Sequence, residues 1–328
     1  MNNRRKLVIA LGAGVLTAPF ASFAQQQGKV WRIGFLWELP QSLYADRFVA
    51  FTEGMRELGY AEGTNYVVEQ RSAQNDRTRL PALTAELVAL KVAVILAQGT
   101  PAALAARNVS REIPIVITSA GDPVGSGLAA SLRRPGGNVT GLTSMTTDLY
   151  AKRLDLLRQI LPGMRREGLL YIPANPMDAL ADRQFETDCG KLGLKSIRAL
   201  VGKQEDVAGA FDILKRDKAQ GVIVSSPSLN QRLREAIIEH AARDRLPAVY
   251  GNTIFADSGG LLSYATNQPD LYRRAAAYVD KIFKGAKPGD LPIDQPTKFE
   301  FLINLKTAKA LGVKIPQSVM VQATKVIE

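Results

Sequence analysis

The sequence is poor in the residues that most chemistry needs. It holds one cysteine and one histidine in 328 residues. A lone Cys189 excludes an intrachain disulfide. One Cys with one His assembles no metal-ligand set in any usual spacing. The single imidazole, His240, lies in REAIIEHAAR, a stretch with helical spacing and no turn, and no G-x-S-x-G elbow exists. A Ser–His–Asp hydrolase therefore lacks both its base and its nucleophile turn. There is also no dense basic run and no interleaving of aromatics with basic residues. The positive residues fall in scattered pairs such as Arg133-Arg134, Arg165-Arg166 and Arg273-Arg274. A formal charge of +11 then reads as solvated faces, not as a nucleic-acid surface.

The N-terminus carries the signs of export. Arg4-Arg5-Lys6 is a basic n-region, Leu7 to Leu16 an apolar h-region, and Ser22-Phe23-Ala24 a small-x-small site before Gln25. The apolar run is short for a membrane span and Pro19 follows it. Residues 1–24 are expected to be a removed signal, which places the mature protein in the periplasm with a charge of +8 once Arg4, Arg5 and Lys6 are gone. The Arg pair loosely suggests a twin-arginine route. No Cys near the cleavage site could carry a lipid.

The remainder alternates strand and helix. Val30 to Trp37 is an apolar strand, and Phe48, Phe51, Met55 and Leu58 mark one face of the helix after it. Asn65 to Glu69 and Val92 to Ala97 are strands, with a helix over Asp76 to Leu90 between them. Thr100 as N-cap and Pro101 at the first helical position start a helix to Asn108. The unit IPIVITSAGDPVGSGLAASLRRPGGNVTGLTS (113–144) then reads as strand, acidic turn, helix, Gly-rich exit and strand. The second half repeats the rhythm through strands at 168–172, 195–200, 221–224 and 248–250, and further strands are expected at 261–265 and 297–303. The fold class is α/β, with doubly wound parallel sheets. Two similar halves without a long linker suggest two lobes, and 46% hydrophobic content suffices for their cores.

Several stretches carry a resemblance. They are FTEGMRELGYAEG (51–63), the 113–144 unit, GGLLSYA (259–265), GAKPGDLPIDQPTKFEFLINLKTAKALG (285–312) and Ile315-Pro316. In order and over essentially the whole mature chain, they resemble the substrate-binding proteins of ABC uptake transporters, in the branch associated with tryptophan or tyrosine. The resemblance implies a type I periplasmic-binding-protein fold: two lobes joined by a multi-strand hinge, with a ligand cleft between them. It implies crossings near Ser144-Met145, Tyr264-Ala265 and Gln295 to Lys298. Lobe one is then 30–144 plus 265–296, and lobe two 145–264 plus 297–328. It further implies a small-molecule ligand, a membrane permease with its ATPase subunit as partner, a monomer, no cofactor and no chemistry.

Ligand contacts belong on loops at strand carboxyl ends. Trp37 either stacks on a flat ligand or caps the edge of the core, with Glu38 beside it. Gly99 and Thr100 offer a helix N-terminus suited to a carboxylate, or a plain cap. Ser119 and Asp122 follow the fourth strand, and Asp122 either takes a ligand ammonium or caps the next helix. From the second half come Asn175, Ser225, Ser226 and Asn252, which are also common turn formers. An amino acid, aromatic or branched, fits this set; a small aromatic acid or another polar metabolite is compatible too.

The rival reading is a dinucleotide enzyme. Gly125-Ser126-Gly127-Leu128-Ala129-Ala130 matches G-x-G-x-x-A, with Asp148 about 20 residues on. Against it, Asp122-Pro123 separates strand from glycines and would repel a pyrophosphate. A cytoplasmic repressor of this fold would need a DNA-binding helix pair where the signal stands.

Overall fold

The β-branched runs pair into two separate sheets. The computed structural model describes residues 30–145, 149–172, 176–225 and 232–328. The first sheet contains β1 (Trp31–Trp37), β2 (Tyr66–Ser72), β3 (Val94–Ala97), β4 (Ile115–Ala120) and β5 (Val139–Thr143) in the order β2-β1-β3-β4-β5. All its pairings are parallel. Its crossovers use α1 (Ala45–Glu57), α2 (Leu80–Ala89) and α3 (Gly99–Val109). Period-2 alternation splits each strand between two cores: Ile33, Phe35 and Trp37 face one, Leu36 the other.

The connection from β4 to β5 is not the expected helix. Residues 121–138 run as successive turns. Pro123 and Pro135 cannot supply helical amides, and Gly127, Gly136 and Gly137 all take positive φ, so the backbone is broken at both ends. Gly141 in β5 has φ +125°, and a side chain there would strike the Ile117 backbone of β4.

The chain then enters the second layer. Its elements are α4 (Leu149–Ile160), β6 (Arg166–Tyr171), α5 (Pro176–Lys191), β7 (Lys195–Leu200), α6 (Asp206–Arg216), β8 (Gly221–Val224), α7 (Arg234–Arg243), β9 (Ala248–Tyr250), α8 (Thr253–Asp257) and β10 (Leu262–Thr266). After β10 the chain goes back. The helix α9 (Gln268–Phe283) packs on α1, and Leu271, Ala275, Ala276 and Val279 join the core of the first sheet. Gly54 makes this approach possible: a Cβ there would lie 2.5 Å from the Arg273 carbonyl oxygen.

The chain returns once more through β11 (Phe299–Asn304), α10 (Leu305–Leu311), α11 (Gln317–Met320) and β12 (Lys325–Ile327). The second sheet has the order β12-β11-β10-β9-β8-β6-β7. It is parallel except between β10 and β11, which corrects the expectation of wholly parallel sheets. The reason is geometric. β10 leaves the sheet at its carboxyl end and β11 re-enters from that same side, so the two run in opposite senses. The connecting segments lie side by side. Thr266 Oγ1 donates to the Ser144 carbonyl at 2.9 Å, the Asn267 amide to Lys298 at 3.1 Å, and the Thr143 amide to Asp294 at 3.0 Å.

Candidate functional site

The carboxyl ends of β3, β4 and β5 are tied into one rim. α3 begins at Gly99, which takes φ +73°, so Thr100 is not the N-cap. Its buried Oγ1 instead accepts from the Gly121 amide at 3.2 Å, joining the ends of β3 and β4. Thr143 Oγ1 donates to the Ala120 carbonyl at 2.8 Å and Ser144 Oγ to the Ser119 carbonyl at 3.3 Å, which joins β4 to β5. Ser119 is half-buried in this rim. Asp122 Oδ1 accepts from the amides of Val124 at 3.1 Å and Gly125 at 2.8 Å. It caps a turn, since no α-helix follows. Both bonds use the same oxygen.

Trp37 ends β1 and Glu38 follows it, next to the β3 end of this rim. Trp37 is fully buried, and its Nε1 donates to Gln70 at 2.9 Å. Its indole stacks with Tyr44 at 5.0 Å and Tyr272 at 5.8 Å. The stacking expected of a ligand is made here by protein rings. The Glu38 carboxylate is buried and ion-paired with Arg77.

In the second sheet, Ser225 follows β8 and is fully buried, its amide bonded to the Leu170 carbonyl at 3.0 Å. Asn252 caps α8, with Oδ1 accepting from the Ile254 amide at 3.0 Å. Asn175 and Ser226 lie outside the described residues. A cavity of about 300 Å³ joins the two layers beside the hinge. Asp46 and Arg47 line it from the first layer, and Arg234, Asn252, Asp257 and Glu300 from the second. Burial pushes the Glu300 carboxyl above its usual range; Asp257 and Asp46 add to this against a hydrogen bond with Asn267. Among the described residues no group of His, Cys, Asp and Glu is placed to hold a metal, and no helix is long and apolar enough to cross a membrane.

This arrangement can bind and enclose a small polar molecule, and the comparisons say what kind of protein uses it. The family model described as ABC transporter substrate binding protein matches residues 41–327. The chain belongs to this family. A curated relative, a tyrosine-binding protein of Clostridioides difficile (strain R20291), is 26% identical over 273 residues, covering 80% of this chain and 76% of the relative. A solved ABC domain in complex with L-Trp from Streptococcus pneumonia superposes with a TM-score of 0.84 at 23% identity, covering 91% of this chain and all of that one. A conserved domain protein from Vibrio cholerae gives 0.84 at 26% identity, with the same coverage.

The substrate-binding protein has the type I periplasmic-binding-protein fold, serves an ABC transporter with a small-molecule ligand and a permease partner, and is not an enzyme. Proteins of this kind typically act outside the cytoplasm. The dinucleotide reading also fails on geometry, because residues 125–130 form turns and open no helix. Sequence reasoning missed Arg47. Its guanidinium lies 4.6 Å from the centre of the Tyr44 ring, and the Tyr44 hydroxyl donates to Gln98 at 3.2 Å. An Arg after an Asp in the first turn of an amphipathic helix gives no local sign of burial, and only the tertiary packing around Tyr44 and Tyr272 reveals it.

Proposed function

We propose that this substrate-binding protein captures an amino acid, aromatic or branched, between two lobes and delivers it to its permease. The lobes are residues 30–144 with 265–296 and residues 145–264 with 297–328. It works as a periplasmic monomer, exported by the segment 1–24, without nucleic acid. The observation that supports the reading is the rim tied at Thr100, Gly121 and Ser144, next to a hinge in which Thr266 bonds to Ser144. The tyrosine-binding and L-Trp-bound relatives support the ligand class. Gly99, Thr100, Ser119 and Asp122 contact the ligand from lobe one, with the second Asp122 oxygen taking its ammonium. Asn175, Ser225, Ser226 and Asn252 contact it from lobe two. Trp37 and Glu38, at the neighbouring end of β1, brace the rim. A ligand touching both lobes stabilises the closed arrangement by its differential affinity.

A thermal-unfolding screen tests this with amino acids, aromatic acids, sugars, nucleosides and nicotinamide dinucleotides. A ligand at about 100 times its dissociation constant adds roughly 2.7 kcal/mol and raises the midpoint by several degrees. Stabilisation confined to amino acids is the expected result. A response to sugars or dinucleotides alone refutes the reading.

A further inference from the structure

Arg153 lies in the second turn of α4, just past the first hinge crossing. It is 1% exposed. Its Nε donates to the Tyr264 carbonyl at 2.9 Å, and its guanidinium carbon sits 5.2 Å from the centre of the Tyr150 ring. Nη1 is buried without a hydrogen-bond partner among the described residues. The ionisable neighbours that act on it are the phenols of Tyr150 and Tyr264, with no carboxylate among them. Burial pushes its pKa down to about 10, which leaves it charged at neutral pH. A buried cation with no counter-charge costs several kcal/mol. Proteins otherwise pair such groups.

Its position gives the cost a purpose. β9 ends at Tyr250, which pairs with Ser263 of β10. Tyr264 is the next residue, so the carbonyl that Arg153 holds lies just beyond the end of β9. Ser225 and Asn252 follow β8 and β9 on this same carboxyl-end surface, where open α/β sheets bind ligands. Two residues on, Thr266 bonds to Ser144 at the hinge. The guanidinium thus holds, by its Nε edge, a carbonyl at the carboxyl-end side of the second sheet, and its Nη1 edge has no hydrogen-bond partner among the described residues.

We propose that Arg153 is the anion-recognising group of lobe two, and that the captured ligand presents a carboxylate to its Nη1 edge. The proposal rests on the capture role argued above and narrows it. A planar guanidinium fork matches a carboxylate in charge and shape. The ligand class is then α-amino acids or aromatic acids; neutral sugars and nucleosides are excluded. The competing role is a purely structural brace for the Tyr264 carbonyl.

The test uses the whole protein as wild type, Arg153→Met and Arg153→Lys. Replacing a buried charge by an apolar side chain of similar volume is commonly neutral or stabilising, so Arg153→Met should fold. Arg153→Lys keeps the charge and serves as the second variant. Thermal unfolding is followed with sodium benzoate, neutral benzamide, and sodium chloride at matched ionic strength. Calorimetry compares L-tyrosine and L-tryptophan with tyramine and tryptamine. Benzoate should raise the wild-type midpoint where benzamide does not. Arg153→Met should abolish that response and weaken amino-acid binding by about 30-fold or more, and Arg153→Lys should keep part of both. The amines should bind wild type more weakly than the amino acids. Equal responses of wild type and Arg153→Met overturn the proposal, and a lower unliganded midpoint in Arg153→Met would then assign the brace. No benzoate response in wild type, with no carboxylate bound, overturns it as well. If amino acids fail to bind but benzoate still separates wild type from Arg153→Met, the amino-acid reading falls and Arg153 stands.

Discussion

Glu167 should make the stability of this protein fall as pH rises. It sits in β6, paired in register with Ser196 on one side and Gly221 on the other, and is fully buried. Neither carboxylate oxygen has a hydrogen-bond partner among the described residues. A Cβ placed on Gly221 would lie 3.2 Å from both Glu167 Oε2 and the Met164 sulfur, so the carboxyl borders a thioether. Burial raises its pKa well above the ordinary glutamate value of 4.5. The folded protein thus keeps a proton that the unfolded chain releases. Stability from this group is fully present below about pH 4.5 and is lost as pH rises towards the folded pKa. Where the folded acid keeps its proton and the unfolded chain has lost it, the slope reaches about 1.4 kcal/mol per pH unit. Glu167→Gln keeps the shape of the protonated acid and cannot ionise. Urea unfolding of wild type and Glu167→Gln at pH 5, 6, 7 and 8 isolates the effect, because every other titration cancels in the difference. The variant should gain on wild type as pH rises. A difference that stays constant over this range would refute the reasoning.

Three further outcomes follow from particular contacts. Gly141→Ala should destabilise the first sheet by about 3 kcal/mol or more, since it adds positive-φ strain to a clash with the Ile117 backbone; an unchanged urea midpoint would contradict this. Cys189 is buried, and burial, with Glu167 and Asp188 nearby, pushes its thiol up to about 12. It should resist a thiol-reactive disulfide reagent until the protein unfolds, so rapid stoichiometric labelling of the native protein would be the opposing result. Asp122→Asn retains the turn-capping acceptor, and stability should change by no more than about 0.5 kcal/mol. Amino-acid affinity should fall, and calorimetry showing unchanged affinity would remove the carboxylate from the ligand site.

The strand–helix alternation was legible because burial of one face imposes a period on the sequence. The alternation of Ile33, Phe35 and Trp37 with Leu36 is the local form of two cores, one on each side of β1. The loops at strand ends were legible for the same reason, and so were Thr100, Ser119, Asp122, Ser225 and Asn252 as rim positions. What each does there was not legible. Thr100 reads as a cap, yet it bonds to Gly121, which is 21 residues away. Trp37 reads equally well as core or contact, and the choice depends on Tyr44 and Tyr272, the second of which is 235 positions later in the chain.

The sequence by itself determined the α/β class, the order of most elements, the exclusion of an intrachain disulfide, and the kinship that names the family. The resemblance already implied that residues 265–296 return to the first lobe; the tertiary structure showed α9 seated on α1 through the close approach at Gly54. It alone decided two further things. It reversed β11 because the chain returns from the hinge side. It also buried Arg47 and Arg153, which as residues on amphipathic helices look like any solvated cation. Periodicity reports that a face is buried but carries no information about its partner. Which sheet a helix covers, and whether a charge is left without a counter-charge, are set by contacts between residues far apart in the chain.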